Sequence, residues 1–161
     1  MNFDLEAPTS LDFVCFFFKL LKLKLTVLET KESGEVGGGV SLPVKTYINS
    51  CEKLSREFLF LSLVDLELSL IKPSILAAVA MSFSLDKLIN YQTVKFKENA
   101  QIRYCWTQIV EECLSGRSMS QIELFREEIV RRLSYLRQDL TLCTKNQSLC
   151  YLFRRKVIKH L

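Results

Sequence analysis

Few side chains in this sequence have the chemistry that catalysis or metal binding needs. The single histidine, His160, is the next-to-last residue, so we expect it to be exposed to solvent rather than paired with a serine or cysteine nucleophile. The six cysteines include no C-x-x-C pair, and we interpret them as small buried hydrophobes in a reducing compartment, with disulfides or metal ligands as the alternatives. We therefore expect no catalytic residue, no metal site and no cofactor. The cysteines are Cys15, Cys51, Cys105, Cys113, Cys143 and Cys150.

Two further patterns resemble chemical sites but have simpler explanations. The stretch "GEVGGG", residues 34–39, is rich in glycine like a phosphate-binding loop, yet no predicted strand precedes it and no GK[ST] follows it. The adjacent pairs Glu111–Glu112 and Glu127–Glu128 point in different directions around a helix, so neither makes an acid/base dyad by itself. We interpret the glycines as a linker and the glutamates as solvated helix faces.

The least polar stretch, "IKPSILAAVAMSFSL" at residues 71–85, predicts a buried helix. Its uncharged part, residues 73–85, is shorter than the roughly 20 residues that a membrane-spanning helix needs. Pro73 suits the first position of a helix, and a helix without a polar face is usually covered on all sides. We expect this helix to form the centre of the fold. The residues predicted to be least exposed are Ile75, Ala78, Val79, Ser82 and Leu85.

Two predicted helices precede this central one. The pair Thr9 and Asp12 has the capping pattern of a helix start, and the first helix is predicted from Ser10 to about Lys24. Residues 29–42 hold four of the five glycines and predict a flexible, dispensable loop. Apolar residues at steps of three and four then predict a second helix over residues 44–64, followed by a connector with one short turn.

Two more predicted helices follow it. A polar loop over residues 89–101 leads to a fourth helix at about 103–114, which carries the only tryptophan, Trp106, as a core anchor. Ser120 and Glu123 are interpreted as a capping box that opens the fifth helix. No segment is typical of a strand, so the prediction is an all-α bundle of five helices around a buried third.

Length and charge favour one domain with a basic tail. The 161 residues are enough to bury a core, and the net charge of +4 is spread along the chain, so nucleic-acid binding is not demanded. Acidic residues precede the first apolar run, where a signal peptide would be basic, and an intracellular protein is expected. We place the domain at residues 1–137 and the tail at 138–161. Its cluster "FRRKVIKH" at 153–160 is interpreted as a polar helix face, or alternatively as a nuclear-import or acidic-partner patch.

Four motifs, in this order and spacing, resemble the C-terminal cyclin box, the second of the two five-helix repeats in A/B/D-type cyclins. In that family a Pro-Thr pair leads into a D-F helix, an L-x-L-x-D stretch precedes a P-S-x-x-A-A core helix, and a tryptophan helix and a G-x-S turn follow. The resemblance covers residues 1 to about 137. The matching residues are Pro8, Thr9, Asp12 and Phe13; Leu61, Leu63 and Asp65; Pro73, Ser74, Ala77 and Ala78; Trp106; and Gly116 and Ser118.

The resemblance implies a non-catalytic regulatory module that acts in the control of cyclin-dependent kinases and the cell cycle, in the nucleus or the cytoplasm. Its expected partners are a cyclin-dependent kinase, an N-terminal cyclin box, or both. The chain starts at "MNFDL", which is similar to the closing segment of an N-terminal box, and no other part of that box is present. We therefore expect the surface that meets that box to be uncovered. The candidate interface residues are Phe3, Leu5, Phe16, Phe17 and Phe18.

Two other classes stay open. A nucleic-acid-binding module of the TFIIB-like cyclin-fold type would need a basic face that contacts phosphates. A generic helical scaffold would need no family motif at all.

Overall fold

The structure, a computed structural model, describes residues 7–33, 41–63, 65–89, 96–114 and 116–143. Within these ranges it is entirely helical and has no strand, which confirms the all-α prediction. Five of these helices are 17 residues or longer, and one short helix, the third along the chain, has only 4. The helices are α1 (Ser10–Ser33), α2 (Leu42–Ser62), α3 (Leu66–Ser69), α4 (Pro73–Ile89), α5 (Phe96–Cys113) and α6 (Met119–Cys143).

The start of α1 is capped as the sequence predicts. The Asp12 carboxylate accepts hydrogen bonds from the Thr9 backbone N–H at 2.8 Å and from the Thr9 hydroxyl at 2.7 Å. In return the Thr9 Oγ1 atom accepts from the Asp12 backbone N–H at 3.3 Å. Both bonds to the carboxylate lower the pKa of the Asp12 carboxyl, and the bond from the Thr9 hydroxyl has the larger effect. The reciprocal bonds satisfy backbone groups that a helix start leaves unpaired.

Two predicted helix ends are wrong, and in both places the helix is longer than predicted. α1 continues past Lys24 to Ser33, because no glycine or proline interrupts the chain before Gly34. α5 begins at Phe96 rather than near Arg103, since the intervening lysine, glutamate, alanine and glutamine are good helix formers. The loop predicted at 29–42 is therefore helical over 29–33. Its central residues, 34–40, lie outside the described ranges, as does the prediction that they are flexible.

The predicted capping box of the last helix is displaced by two residues. Ser118, not Ser120, occupies the N-cap position of α6, and its backbone N–H donates to the side-chain oxygen of Gln121 at 3.2 Å. Glutamine at the third helical position reaches back as glutamate does, so both patterns were available to the chain. Two residues before Ser118, Gly116 has a φ of +77°, which glycine adopts without steric cost.

α4 lies at the centre of the packing. It contacts α1, α2 and α6, and its residues from Ile75 to Leu85 are all buried. The five residues that the sequence predicted to be least exposed are at most 6% exposed, which confirms the core assignment. Pro73 begins the helix as predicted. α6 passes through residue 137, the predicted domain boundary, and residues 144–161 of the predicted tail lie outside the described ranges.

Candidate protein-interaction surface

The four cysteines whose side chains the structure describes are buried or half-buried. Cys51 and Cys105 are buried as predicted, whereas Cys15 and Cys113 are half-buried. Burial raises the pKa of the Cys51 thiol to about 12, and its Sγ donates to the Ser84 carbonyl at 3.8 Å. In the described part of the chain no three metal-ligating side chains lie together. The remaining cysteine side chains, and His160, lie outside that part.

Trp106 is a core anchor rather than a platform for a ligand. Its indole is 2% exposed, and Nε1 donates to the Ser82 hydroxyl of α4 at 2.9 Å. Phe17 of α1 meets the ring edge to face, with centroids 5.7 Å apart. A single side chain of α5 thus joins α1 to α4, because aromatic rings contribute large buried area and the indole N–H needs a partner.

The other residues of the four motifs have structural positions. Asp65 is the N-cap of α3 and accepts from the backbone N–H groups of Glu67 at 2.8 Å and Leu68 at 3.3 Å. Ala77 and Ala78 are fully buried, whereas Pro73 and Ser74 lie at the start of α4. Leu61 packs partly buried against the core, as Phe13 does.

For two of the five candidate interface residues, the prediction that they lie on the surface is wrong. Phe17 and Phe18 are each 1% exposed and belong to the core. They share a face with Val14 and Leu21, because residues three and four apart lie on one side of a helix. Phe16 lies on the other side and is 47% exposed. The remaining candidates, Phe3 and Leu5, lie outside the described residues.

The structure has an apolar groove where α1 begins. We call it the entrance groove; its volume is about 380 Å³, and Arg56 is its one charged lining residue in the described ranges. Phe60, in the last turn of α2, and Leu63, which directly follows that helix, line the groove and are 55% and 66% exposed. Leu63 belongs to the L-x-L-x-D motif, and this motif was the sequence signal that could have indicated the groove. The other lining residues are Ala7, Pro8, Thr9, Ser10, Leu11, Leu59, Pro73 and Leu76.

Several ion pairs on the described surface join different helices. Asp86 of α4 binds both Arg103 of α5 and Arg126 of α6. Arg132 of α6 binds Glu67 of α3 and Glu128 of its own helix. These pairs connect α6 to both α4 and α3.

Comparisons of this chain with protein-family models, with curated proteins and with solved structures find no match. Among the described helices, none combines the length and the apolar composition that crossing a bilayer requires. The described residues form an all-helical arrangement around α4 with an apolar groove beside the start of α1.

Proposed function

We propose that this chain is a non-catalytic protein-interaction module of the cyclin-box type, which packs against an N-terminal cyclin box in the control of cyclin-dependent kinases. Its partners are that box and, through it, the kinase. Its architecture is a five-helix bundle around α4, with α3 as part of the connector.

The observation that supports this proposal best is the structural use of the four motifs. The first motif caps α1 through Thr9 and Asp12, and the second caps α3 through Asp65. The third starts the buried helix α4 at Pro73. The fourth contributes Trp106 and the positive φ of Gly116. These residues cap helices, start them or hold them against one buried helix. Motifs shared with the cyclin-box fold would be expected to have such structural roles.

The entrance groove supports the choice of partner. In cyclins the N-terminal box precedes the C-terminal one, so it is joined to the chain just before α1. The groove lies at that point of the chain, and its lining is almost wholly apolar. A sizeable exposed apolar surface on a folded domain usually marks an interaction site. We therefore assign the groove to the N-terminal box.

Binding of a purified N-terminal cyclin box, measured by isothermal titration calorimetry, tests the proposal. We expect association, and we expect Leu63→Asp to weaken it at least tenfold because a carboxylate would be desolvated in the groove. Leu124→Asp is the matched control, since Leu124 lies on α6 and is also 66% exposed. No heat of binding, or equal loss in both variants, contradicts the assignment.

A kinase assay tests the regulatory part of the proposal. In cyclins the N-terminal box supplies most kinase contacts, so we expect purified residues 1–161 alone not to stimulate a cyclin-dependent kinase. Strong activation would show that the N-terminal box is not required. Steeply salt-dependent DNA binding would instead favour the TFIIB-like alternative.

A further inference from the structure

The outer face of α1 carries a second apolar surface, distinct from the entrance groove. Phe16, Leu23 and Val27 are 47%, 63% and 52% exposed, and Leu20 between them is half-buried. We call these four residues the outer stripe. Their spacing of four, three and four residues is that of the seam by which two helices pack together. At about 1.5 Å per residue the stripe is roughly 16 Å long, or three helical turns.

The edge of the stripe that faces α2 is positively charged. Cys15, Lys19 and Lys22 follow the same four- and three-residue steps, so they form a row parallel to the stripe. Lys22 binds Glu52 of α2 at 3.4 Å, and Arg56 binds the same carboxylate at 2.9 Å while it also donates to Cys15 Sγ at 3.1 Å. Lys19 is exposed, and no described carboxylate pairs with it. Lys22 and Arg56 therefore share one carboxylate, and Lys19 adds a further positive charge beside them.

On the opposite edge, Lys24 binds Glu112 of α5 at 2.8 Å, so its charge is balanced within the molecule. Among the described side chains the excess of positive charge thus lies on the Lys19 edge, where a partner helix in the seam would place its flanking side chains. Flanking charges of this kind set the choice of partner and the orientation of packed helices.

We propose that the outer stripe binds one amphipathic helix of a partner protein that carries glutamate or aspartate beside its apolar face. A second copy of this chain in antiparallel pairing would bring its own Lys19 edge against this one, and like charges in that position disfavour the pairing. The partner's acidic side chains would instead meet Lys19 and complete the charge balance of Lys22 and Arg56. This inference uses only exposure and charge on α1 and α2, so it does not depend on the proposed function.

Two synthetic helices test the charge preference. They share the same apolar seam of four positions, but one carries glutamate and the other lysine at the flanking positions. Fluorescence anisotropy with the full chain should show the glutamate peptide binding at least tenfold more tightly, with a difference that shrinks as salt is added. Leu23→Ser should weaken binding of the glutamate peptide, and Lys19→Glu should reverse the preference.

Matched variants control for general effects. Leu124→Ser changes an equally exposed leucine on α6, and Lys53→Glu changes an exposed lysine of α2, so neither should alter binding. Thermal melting of each variant verifies that it is folded. If neither peptide binds, or if both bind equally tightly, the proposal is overturned. A dimer in sedimentation that Leu23→Ser dissociates would also overturn it, because the occupant would then be a second copy.

Discussion

α1 and α4 are both apolar around most of their circumference, yet only α4 is covered on every side. α4 carries Ala77, Ala78 and Ala80 along its centre, and such small side chains let α1, α2 and α6 approach closely. α1 carries phenylalanines and leucines with lysines among them. Its inner face, with Val14 and Leu21, is buried, whereas its outer stripe is exposed. The small residues of α4 allow other helices to pack on all its sides. The large residues of α1 pack on one side only, and the apolar residues on its outer side stay available to a partner.

The serines of α4 show how a central helix can include polar groups. The Ser84 hydroxyl donates to the Ala80 carbonyl at 2.8 Å and is 2.9 Å from the Ser55 hydroxyl of α2. The Ser82 hydroxyl accepts from Trp106. Each hydroxyl is satisfied inside the core, so burial does not leave it unpaired. The lysines of α1, in contrast, lie at its edges, where long side chains reach solvent or a carboxylate.

The largest expected effect is the loss of folding in Ala78→Asp. Ala78 is fully buried, and an unpaired buried carboxylate costs several kcal/mol against a total stability of roughly 5–15 kcal/mol. Thermal and urea unfolding measure the change. Ala100→Asp, at an exposed position near the start of α5, is the control and should melt like the parent chain. An unchanged melting temperature for Ala78→Asp would mean that α4 is not the core.

A pair of substitutions in α1 tests whether its two faces differ as described. Leu21→Ala removes a fully buried side chain and should cost about 2–5 kcal/mol. Leu23→Ala, two residues away on the outer stripe, should change stability by no more than about 0.5 kcal/mol. Urea unfolding curves of the two variants give the comparison. Equal losses would show that something within the chain covers the outer stripe.

Ser82→Ala should have an intermediate effect. The substitution leaves the buried indole N–H of Trp106 without its partner, which costs about 1–3 kcal/mol. The same change in a Trp106→Phe background removes no hydrogen bond and should cost less. A double-mutant cycle from unfolding data isolates the coupling. A coupling of zero would contradict the role of this hydrogen bond in joining α5 to α4.

The smallest expected effect concerns the cap of α1. Thr9→Val removes the hydroxyl that donates to Asp12, so the lowered pKa of the Asp12 carboxyl should rise toward its ordinary value. A carboxyl whose pKa is lowered on folding adds stability above its unfolded pKa, and this stability is lost as pH falls through the folded value. The difference in stability between parent and variant should thus narrow in acid, and the part due to the lost bond from the Asp12 backbone N–H to Thr9 Oγ1 should remain. Titration of the Asp12 carboxyl by NMR measures the shift, and identical curves would contradict it.

The sequence predicted the buried α4 and the cap at Thr9 because both signals are local. An uninterrupted apolar run and a Thr-x-x-Asp pattern act through neighbours along the chain. The cap of α6 was harder to predict, since two overlapping patterns were available. The longer α1 and α5 were missed because charged and polar residues are compatible with both loop and helix. Ile102, fully buried in α5, shows that packing favours the helix there.

The sequence by itself determined that the described chain is helical, where most helices lie and which helix could tolerate burial on all sides. Periodicity, caps and proline carry that information, because they depend on residues within one or two turns. Only the tertiary structure decided that Phe17 and Phe18 are core while Phe16 is surface, and that the end of α2 meets the start of α1 in a groove. Those outcomes depend on where distant helices pack, and an apolar residue has the same local pattern whether a neighbour covers it or not.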